Sequence, residues 1–142
     1  MSGGLVRRRV AAALVVAAEE LHPVAVDLEF DVCDPFAVRL VFRPDGEREV
    51  TWCFARDLLA GGVQYPCGEG DVRVIPIAWG EPGRVVIRLR GADGEAAVSF
   101  PALPLVSFLG RTHALAPLGL EHHSPCYRLH LDRALDDLLT AW

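Results

Sequence analysis

The sequence predicts an α+β domain, in which an antiparallel β-sheet occupies most of the chain and helices lie in the middle and at the C-terminal end. Turn signals recur at short intervals and separate segments that alternate between apolar and polar residues, as strands do. Near the C-terminus the pattern changes to helical spacing, with apolar side chains at Leu131, Leu135, Leu138, Leu139 and Trp142. The length of 142 residues suits one domain, so we expect residues 1–142 to form a single domain.

The clearest strand pattern lies in residues 24–32, where apolar residues alternate with acidic ones. The acidic positions are Asp27, Glu29 and Asp31. Such alternation places one face of the strand in the core and the other in water. Residues 36–43 form a second alternating strand. For the apolar faces of the two strands to match, Glu29 or Asp31 has to lie opposite Arg39, which requires a loop with an odd number of residues.

A strand and a short helix are predicted for the middle of the chain. After a turn at residues 44–46, residues 49–54 form a strand whose apolar face carries Trp52 and Phe54, and we expect both side chains to be buried. Residues 55–60 then change to helical spacing, and the pair of glycines that follows should end this helix.

The strand at residues 71–78 has apolar side chains on both faces, with Ile75 and Ile77 on one of them. Pro76 favours an edge position or a bulge for this strand, because proline cannot donate a ladder hydrogen bond. The remaining regular segments are strands at residues 84–90 and 95–100 and a helix that begins at Pro104.

The N-terminal segment allows two interpretations. Arginines at positions 7, 8 and 9 precede an apolar run at residues 10–18, an arrangement that resembles the charged and apolar regions of a secretory signal. The same run also fits a first β-strand that enters the sheet. The residues alone leave both interpretations open, and no other apolar run is long enough to span a bilayer.

Cysteine spacing argues against a metal or redox motif. Zinc sites and redox motifs use short paired spacings, and no CxxC pair occurs among Cys33, Cys53, Cys67 and Cys126. Cys53 lies in an apolar, strand-like run and is predicted to be a buried thiol. We therefore expect a reduced, cytosolic chain.

The best metal candidate is the cluster at residues 122–126, which contains His122, His123 and Cys126. Adjacent histidines rarely point the same way, so a polar loop is the favoured interpretation. The acidic residues at 27, 29 and 31 are interpreted as a solvated, ion-paired face because the neighbouring strand supplies arginines. Catalytic motifs and phosphate-binding loops are absent from the sequence, so we expect no cofactor, no bound metal and no turnover.

One strand face forms a basic stripe. Arg84, Arg88 and Arg90 share this face, and Arg73 is expected across from them. The stripe is interpreted either as a track for single-stranded nucleic acid or as a solvated face. The net charge of −5 and the lack of interleaved aromatic residues favour the solvated face.

Five blocks of sequence follow one another in a recognisable order: 34–39 (DPFAVR), 52–62 (WCFARDLLAGG), 70–74 (GDVRV), 108–112 (FLGRT) and 118–122 (LGLEH). Together they resemble the SsgA-like proteins, the sporulation and cell-division proteins of morphologically complex actinobacteria. The resemblance extends from about residue 21 to the C-terminus. Cys33, Cys67 and residues 123–127 depart from the family pattern.

This resemblance implies a cytoplasmic, non-enzymatic protein that is recruited to the division septum and helps to place or activate septation. The family member most similar in the central block recruits FtsZ, the tubulin-like division GTPase, so FtsZ and other SsgA-like proteins are the implied partners. The resemblance further implies a fold similar to the Whirly single-stranded nucleic-acid binders, assembly into trimers, and a β-strand at the N-terminal apolar run, with no direct membrane insertion. A shared fold is not evidence of nucleic-acid binding.

Residues that contact a partner are predicted from burial. A strand with two apolar faces has to be covered twice, and the chain is richer in apolar residues than one small core needs. We therefore predict a homo-oligomer, which the resemblance makes a trimer. The interface candidates are Arg56, Asp57, Ile75, Ile77 and Trp79. The leading hypothesis is an adaptor in septum assembly, and the alternative is a single-stranded nucleic-acid-binding domain that uses the basic stripe.

Overall fold

Seven β-strands form one antiparallel sheet in the part of the chain that the computed structural model describes, residues 4–17, 20–43, 48–77 and 83–140. In chain order the strands are β1 (Leu5–Ala17), β2 (Glu20–Asp31), β3 (Ala37–Phe42), β4 (Val50–Ala55), β5 (Val72–Ile77), β6 (Arg84–Gly91) and β7 (Gly94–Pro101). Within the sheet they lie in the order β4-β3-β2-β1-β7-β6-β5. The helices are α1 (Arg56–Gly62), α2 (Ala102–Leu115), a short 3₁₀ helix (Glu121–His123) and α3 (Pro125–Thr140). The predicted α+β class is confirmed.

The N-terminal apolar run lies within a strand, because β1 pairs with β2 along nearly its whole length. Their register places Val10 opposite Val26 and Arg9 opposite Asp27. Since side chains alternate along a strand, Val10 and Val26 lie on the core face of the sheet, and Arg9 and Asp27 lie on the opposite face, which we call the outer face. The strand interpretation of this segment is therefore confirmed.

The hairpin of β2 and β3 has the predicted register. Glu29 lies opposite Arg39, and Leu28 lies opposite Leu40. Five residues, 32–36, connect the two strands, so the loop contains an odd number of residues, as expected. The turn predicted at residues 44–46 lies outside the described residues.

Strand β5 occupies one edge of the sheet, which is one of the two placements that the proline at position 76 favours. It pairs with β6 on one side, and a single bridge joins Val74 to Cys67 on the other. Helix α1 packs closely on β5 at Gly62, where an added Cβ would collide with the side chain of Val74. The helix begins at Arg56 and ends at Gly62, so it stops at the glycine pair as predicted but includes both glycines, beyond the predicted range of 55–60.

The core lies between the sheet and helices α1 and α2. The sheet curls, so that β4 approaches the turn between β6 and β7, and a Cβ added at Gly91 would lie 3.7 Å from Cζ2 of Trp52. The helix-covered end of the core contains the fully buried side chains of Phe30, Leu59, Phe100, Leu105 and Phe108. Burying one side chain of this kind contributes about 1.5–3 kcal/mol, so this end supplies much of the stability.

The opposite end of the core, at the hairpin tips, is less completely filled. A cavity of about 210 Å³ opens there, lined by Leu14, Val24, Phe42, Val50, Trp52, Leu89, Ala96 and Val98. Phe54 is buried as predicted, but Trp52 lies at this cavity and is only half-buried, which corrects the prediction that both are buried. Cys53 lies on the outer face of β4 and is exposed, so the predicted buried thiol is also corrected.

The two long helices differ in how much they bury. Helix α2 buries Leu105, Phe108, Leu109 and Thr112. It begins at Ala102, so Pro104 is its third residue rather than its first, a position that is tolerated because the N–H groups of the first turn have no helical acceptor. Helix α3 forms where the leucine spacing predicts a helix, but it buries no residue.

Candidate functional site

The outer face of the sheet collects most of the basic side chains. Of the 14 basic residues in the sequence, eight lie there, all of them arginines. They are Arg7, Arg9, Arg39, Arg43, Arg73, Arg84, Arg88 and Arg90. We call this surface the arginine face. It follows from strand alternation, because the intervening residues of the same strands face the core.

In one half of the arginine face, four arginines surround two carboxylates. Nε of Arg9 lies 2.9 Å from Oδ1 of Asp27, and Arg43 also donates to Asp27. Nε of Arg7 lies 2.9 Å from Oε2 of Glu29, and Nε of Arg39 lies 3.6 Å from Oε1. The predicted ion pairing is therefore present, but the predicted solvation is wrong. Asp27 and Glu29 are only 3% and 9% exposed, because the long arginine side chains cover them.

These contacts fix the charge of Asp27. The hydrogen bond from Arg9 contributes most to lowering the pKa of this carboxyl group, burial opposes it, and the hydrogen bond from Arg43 adds to the lowering. Asp27 therefore remains ionised and engaged at neutral pH. A carboxylate held in this way is poorly suited to general acid–base catalysis, which needs a pKa near the working pH.

The other half of the arginine face contains the predicted basic stripe. Arg73 lies opposite Arg88, and Arg84 and Arg90 share their face. Nε of Arg84 donates to Oγ of Ser99 at 2.6 Å, and Arg90 lies 3.4 Å from Glu95. Among the described strands, the outer face presents no aromatic side chain on which a base could stack.

Apolar side chains lie among the second group of arginines, at the β5 edge of the outer face. Ile75 lies opposite Val86, and Ile77 lies opposite Arg84, and both isoleucines are half-buried in the single chain. Val15 and Ala97 form a second apolar pair on the outer face, on β1 and β7. Both isoleucines are thus available to a partner. Of the other interface candidates, Asp57 is exposed in the first turn of α1, and Trp79 lies outside the described residues.

Arg56 was predicted to lie at an interface, but it is a buried residue, so this prediction is wrong. Its side chain is fully buried, with Nη2 donating to Oε2 of Glu121 and Nη1 donating to the carbonyl oxygen of Thr112, both at 3.2 Å. The guanidinium group also lies 5.2 Å from the ring centroid of Phe30. Arg56 thereby joins α1 to α2 and to the 3₁₀ helix. The sequence signal for this role is an arginine among the apolar residues of the central block.

Glu121 is the buried partner of Arg56 and is 3% exposed. Burial alone would raise the pKa of this carboxyl group, but hydrogen bonds from the backbone at residues 121 and 119 and the charge and hydrogen bond of Arg56 outweigh it. The pKa of Glu121 is therefore lowered, and the pair remains ionised. Sequence reasoning did not identify Glu121 as functional or structural.

The cluster at residues 122–126 packs against the loop between β2 and β3. The rings of His122 and Tyr127 lie 5.4 and 5.5 Å from the ring of Phe36, in edge-to-face geometry. Cys126 forms a disulfide bond with Cys33, which corrects the expectation of a fully reduced chain. Within the described residues, no group of three or more His, Cys, Asp or Glu side chains is arranged to hold a metal ion.

The α+β fold described above is shared by solved structures of sporulation-specific cell-division proteins. The chain belongs to the SsgA family, because residues 24–121 match the family described as "Streptomyces sporulation and cell division protein, SsgA". This is a family of cell-division proteins rather than a known enzyme family.

Individual relatives agree with this assignment. The chain is 44% identical to the sporulation-specific cell division protein SsgB of Streptomyces coelicolor over 126 residues, or 89% of each chain. It is similar to a solved structure from work on SsgB mutations that correlate with longitudinal cell division during sporulation of the same organism, with a TM-score of 0.80, 44% identity and coverage of 84% and 94% of the two chains.

A second solved structure, of an SsgA-like sporulation-specific cell division protein from Thermobifida fusca, aligns with a TM-score of 0.83. It shares 33% identity, and the alignment covers 96% of this chain and 98% of that one. These relatives establish a role in sporulation-associated cell division. None of the helices in the described residues combines the length and apolar character needed to cross a membrane.

Proposed function

We propose that this protein is a non-enzymatic adaptor in sporulation-specific cell division, which helps to recruit or position FtsZ at septum sites in the cytoplasm. Family membership supports the division context. The observation that carries the adaptor role is the arginine face, where guanidinium groups lie beside the half-buried apolar side chains of Ile75, Ile77 and Val86 at the β5 edge. A surface of this kind suits binding to another protein, because protein interfaces combine apolar side chains with arginines. The buried carboxylates of the face are already paired with arginines of the same chain.

Co-sedimentation with FtsZ polymers tests this proposal directly. The purified chain should pellet with FtsZ assembled with GTP and remain in solution without it. Arg88→Glu, on the exposed arginine face, should reduce the pelleted fraction, whereas Arg133→Glu on the exposed part of α3 serves as the matched control. A chain that stays in the supernatant at micromolar FtsZ, with both proteins shown to be folded, would reject FtsZ recruitment.

We also propose that the adaptor is a homotrimer with Ile75 or Ile77 in or beside the interface. Both residues are half-buried on an edge strand of the single chain, and a stable interface should bury above about 1,000 Å² in total. Ile75→Glu should dissociate the assembly, because an unpaired charge would be buried. The control is Thr51→Glu, which places the same charge at an exposed position of the outer face, on β4. Light scattering that shows a monomer of the unmodified chain would contradict the trimer.

Binding of single-stranded nucleic acid is the second candidate function, favoured by the presence of Arg73, Arg84, Arg88 and Arg90 on one face. Gel-shift measurements with single-stranded oligonucleotides at increasing salt distinguish it from the adaptor. Binding through phosphates has to weaken steeply with salt, and it should be lost when the four arginines are replaced by alanine. The adaptor function predicts no such binding.

A further inference from the structure

The disulfide bond between Cys33 and Cys126 joins the sheet to the C-terminal helix. Cys33 lies in the loop after β2, and Cys126 is the second residue of α3, 93 positions further along the chain. Their Cα atoms are 4.9 Å apart, a separation that a disulfide spans without backbone movement. Both residues are partly exposed, so a small thiol can reach the sulfur atoms.

The position of α3 depends on this bond more than on packing. Its first turn contacts the β2–β3 loop through Cys126 and through the ring of Tyr127 against Phe36. From residue 128 to residue 140, every residue of the helix is exposed. A helix attached in this way at one end has few apolar contacts to hold it when the covalent bond is broken.

The two sulfur atoms have different surroundings. Cys126 lies in the first turn of a 16-residue helix, where the backbone N–H groups stabilise a negative charge. Oγ of Ser124 lies 3.2 Å from Sγ of Cys126 and can donate a hydrogen bond to its thiolate. Cys33 lies in a loop and lacks such a helix terminus. Cys126 is therefore the better leaving group and the more readily formed thiolate.

From these observations we infer that Cys33 and Cys126 form a reversible thiol–disulfide exchange site, which reacts with low-molecular-weight thiols and disulfides and sets the position of α3. Disulfides in the cytosol are usually transient and redox-sensing rather than structural, so the proposed cytoplasmic location supports exchange. The inference concerns a different surface from the arginine face, and it stands whether or not the chain binds FtsZ.

Reduction and oxidation of the cysteine pair each need only one low-molecular-weight thiol and its disulfide. In reduction, a thiolate attacks Sγ of Cys33, the Cys126 thiolate leaves, and a second thiolate releases Cys33 as the small disulfide forms. In oxidation, the Cys126 thiolate attacks a small disulfide and expels one thiolate. Sγ of Cys33, as a thiolate, then attacks Sγ of Cys126 and expels the other. The two electrons pass between the cysteine pair and the small thiol couple.

The experiment uses the full chain with Cys53→Ser and Cys67→Ser, which removes the two other thiols and leaves the pair. The protein is equilibrated with reduced and oxidised glutathione, free thiols are counted by alkylation and mass spectrometry, and hydrogen exchange of residues 126–140 is measured in both states. We expect no free thiols in the oxidised state, two in the reduced state, and exchange in α3 faster by about tenfold after reduction, with β1 and β2 unchanged.

Single variants test the assigned roles. With Cys33→Ser, the thiolate of Cys126 should accumulate as a mixed disulfide with glutathione, and with Cys126→Ser, Cys33 should accumulate much less of it. Two free thiols that persist in excess oxidised glutathione would overturn the site. Equal exchange rates of α3 in the oxidised and reduced states would overturn its control of the helix, and equal modification of the two single variants would overturn the assignment of Cys126 as the reactive thiol.

Discussion

Helices α2 and α3 follow one another at the C-terminal end and both carry apolar stripes, yet only α2 buries its stripe. Helix α2 buries Leu105, Phe108, Leu109 and Thr112 against the sheet. Helix α3 exposes its stripe, with Leu135 and Leu138 at 47% and 60% exposure. An amphipathic pattern therefore shows that a helix has a face to cover, and it does not show which element covers it.

The boundary between the two helices lies at Glu121. Up to this residue the chain is held by buried contacts, since Arg56 reaches both the carbonyl oxygen of Thr112 at the end of α2 and the carboxylate of Glu121. Beyond it, α3 is attached through its first turn. The comparison can be tested by substitutions placed on α2, at the boundary and on α3.

The largest effect is expected at the boundary. Glu121→Ala leaves the guanidinium group of Arg56 buried without its counter-ion, and the free energy of unfolding should fall by about 3–5 kcal/mol. The matched control is Glu95→Ala, which removes the partner of Arg90 from an ion pair in which both side chains are more than half exposed. This variant should change the free energy of unfolding by less than about 1 kcal/mol. Urea denaturation of the two variants measures both values, and equal losses would show that the boundary is not a buried anchor.

A matched pair of leucines on α2 gives the next effect. Leu105 is fully buried and Leu103 is 75% exposed two residues earlier on the same helix. Leu105→Ala should lower the free energy of unfolding by about 2–5 kcal/mol, because it removes core contacts and leaves a cavity. Leu103→Ala should change it by about 0.5 kcal/mol or less. A similar loss in both variants would contradict the packing of α2 on the sheet.

A smaller loss of folding stability is expected when the pH is lowered. The pKa values of Asp27 and Glu121 are both lowered in the folded chain, so each carboxylate contributes stability above its unfolded pKa. That contribution should be lost as the pH falls below about 4, through the folded pKa values. Denaturation midpoints measured between neutral and acidic pH should fall accordingly, and Asp27→Asn should weaken the dependence. A midpoint that rises on acidification would contradict the ion-pair assignment.

Much of the sheet could be predicted from the sequence, because its signals are local. Strict alternation restricts the register of β2 and β3 to pairings with Glu29 or Asp31 opposite Arg39, and the proline at position 76 favours an edge position or a bulge for β5. The exposure of Trp52 could not be predicted in this way, since it depends on how far the sheet curls around the core. Local patterns describe the faces of strands and leave the closure of the sheet undetermined.

The features that involve distant residues were missed for a related reason. Arg56 and Glu121 are separated by 65 residues, and Cys33 and Cys126 by 93. Neither pair belongs to a spacing motif, so only the tertiary fold brings the partners together. The arginine stripe, by contrast, was located correctly because its members alternate along neighbouring strands.

The smallest effect should come from the stripe of α3, and this result separates the two helices most clearly. Leu138→Ala removes a side chain that is 60% exposed, and alanine is the stronger helix former, so the free energy of unfolding of the single chain should change by less than about 0.5 kcal/mol. Leu105→Ala, measured in parallel by urea denaturation, supplies the contrast. A loss with Leu138→Ala at dilute protein that approaches the loss with Leu105→Ala would show that α3 packs on the core in solution. A loss that appears only as the protein concentration rises would instead show that a second copy covers the stripe, because assembly stabilises the folded chain by mass action.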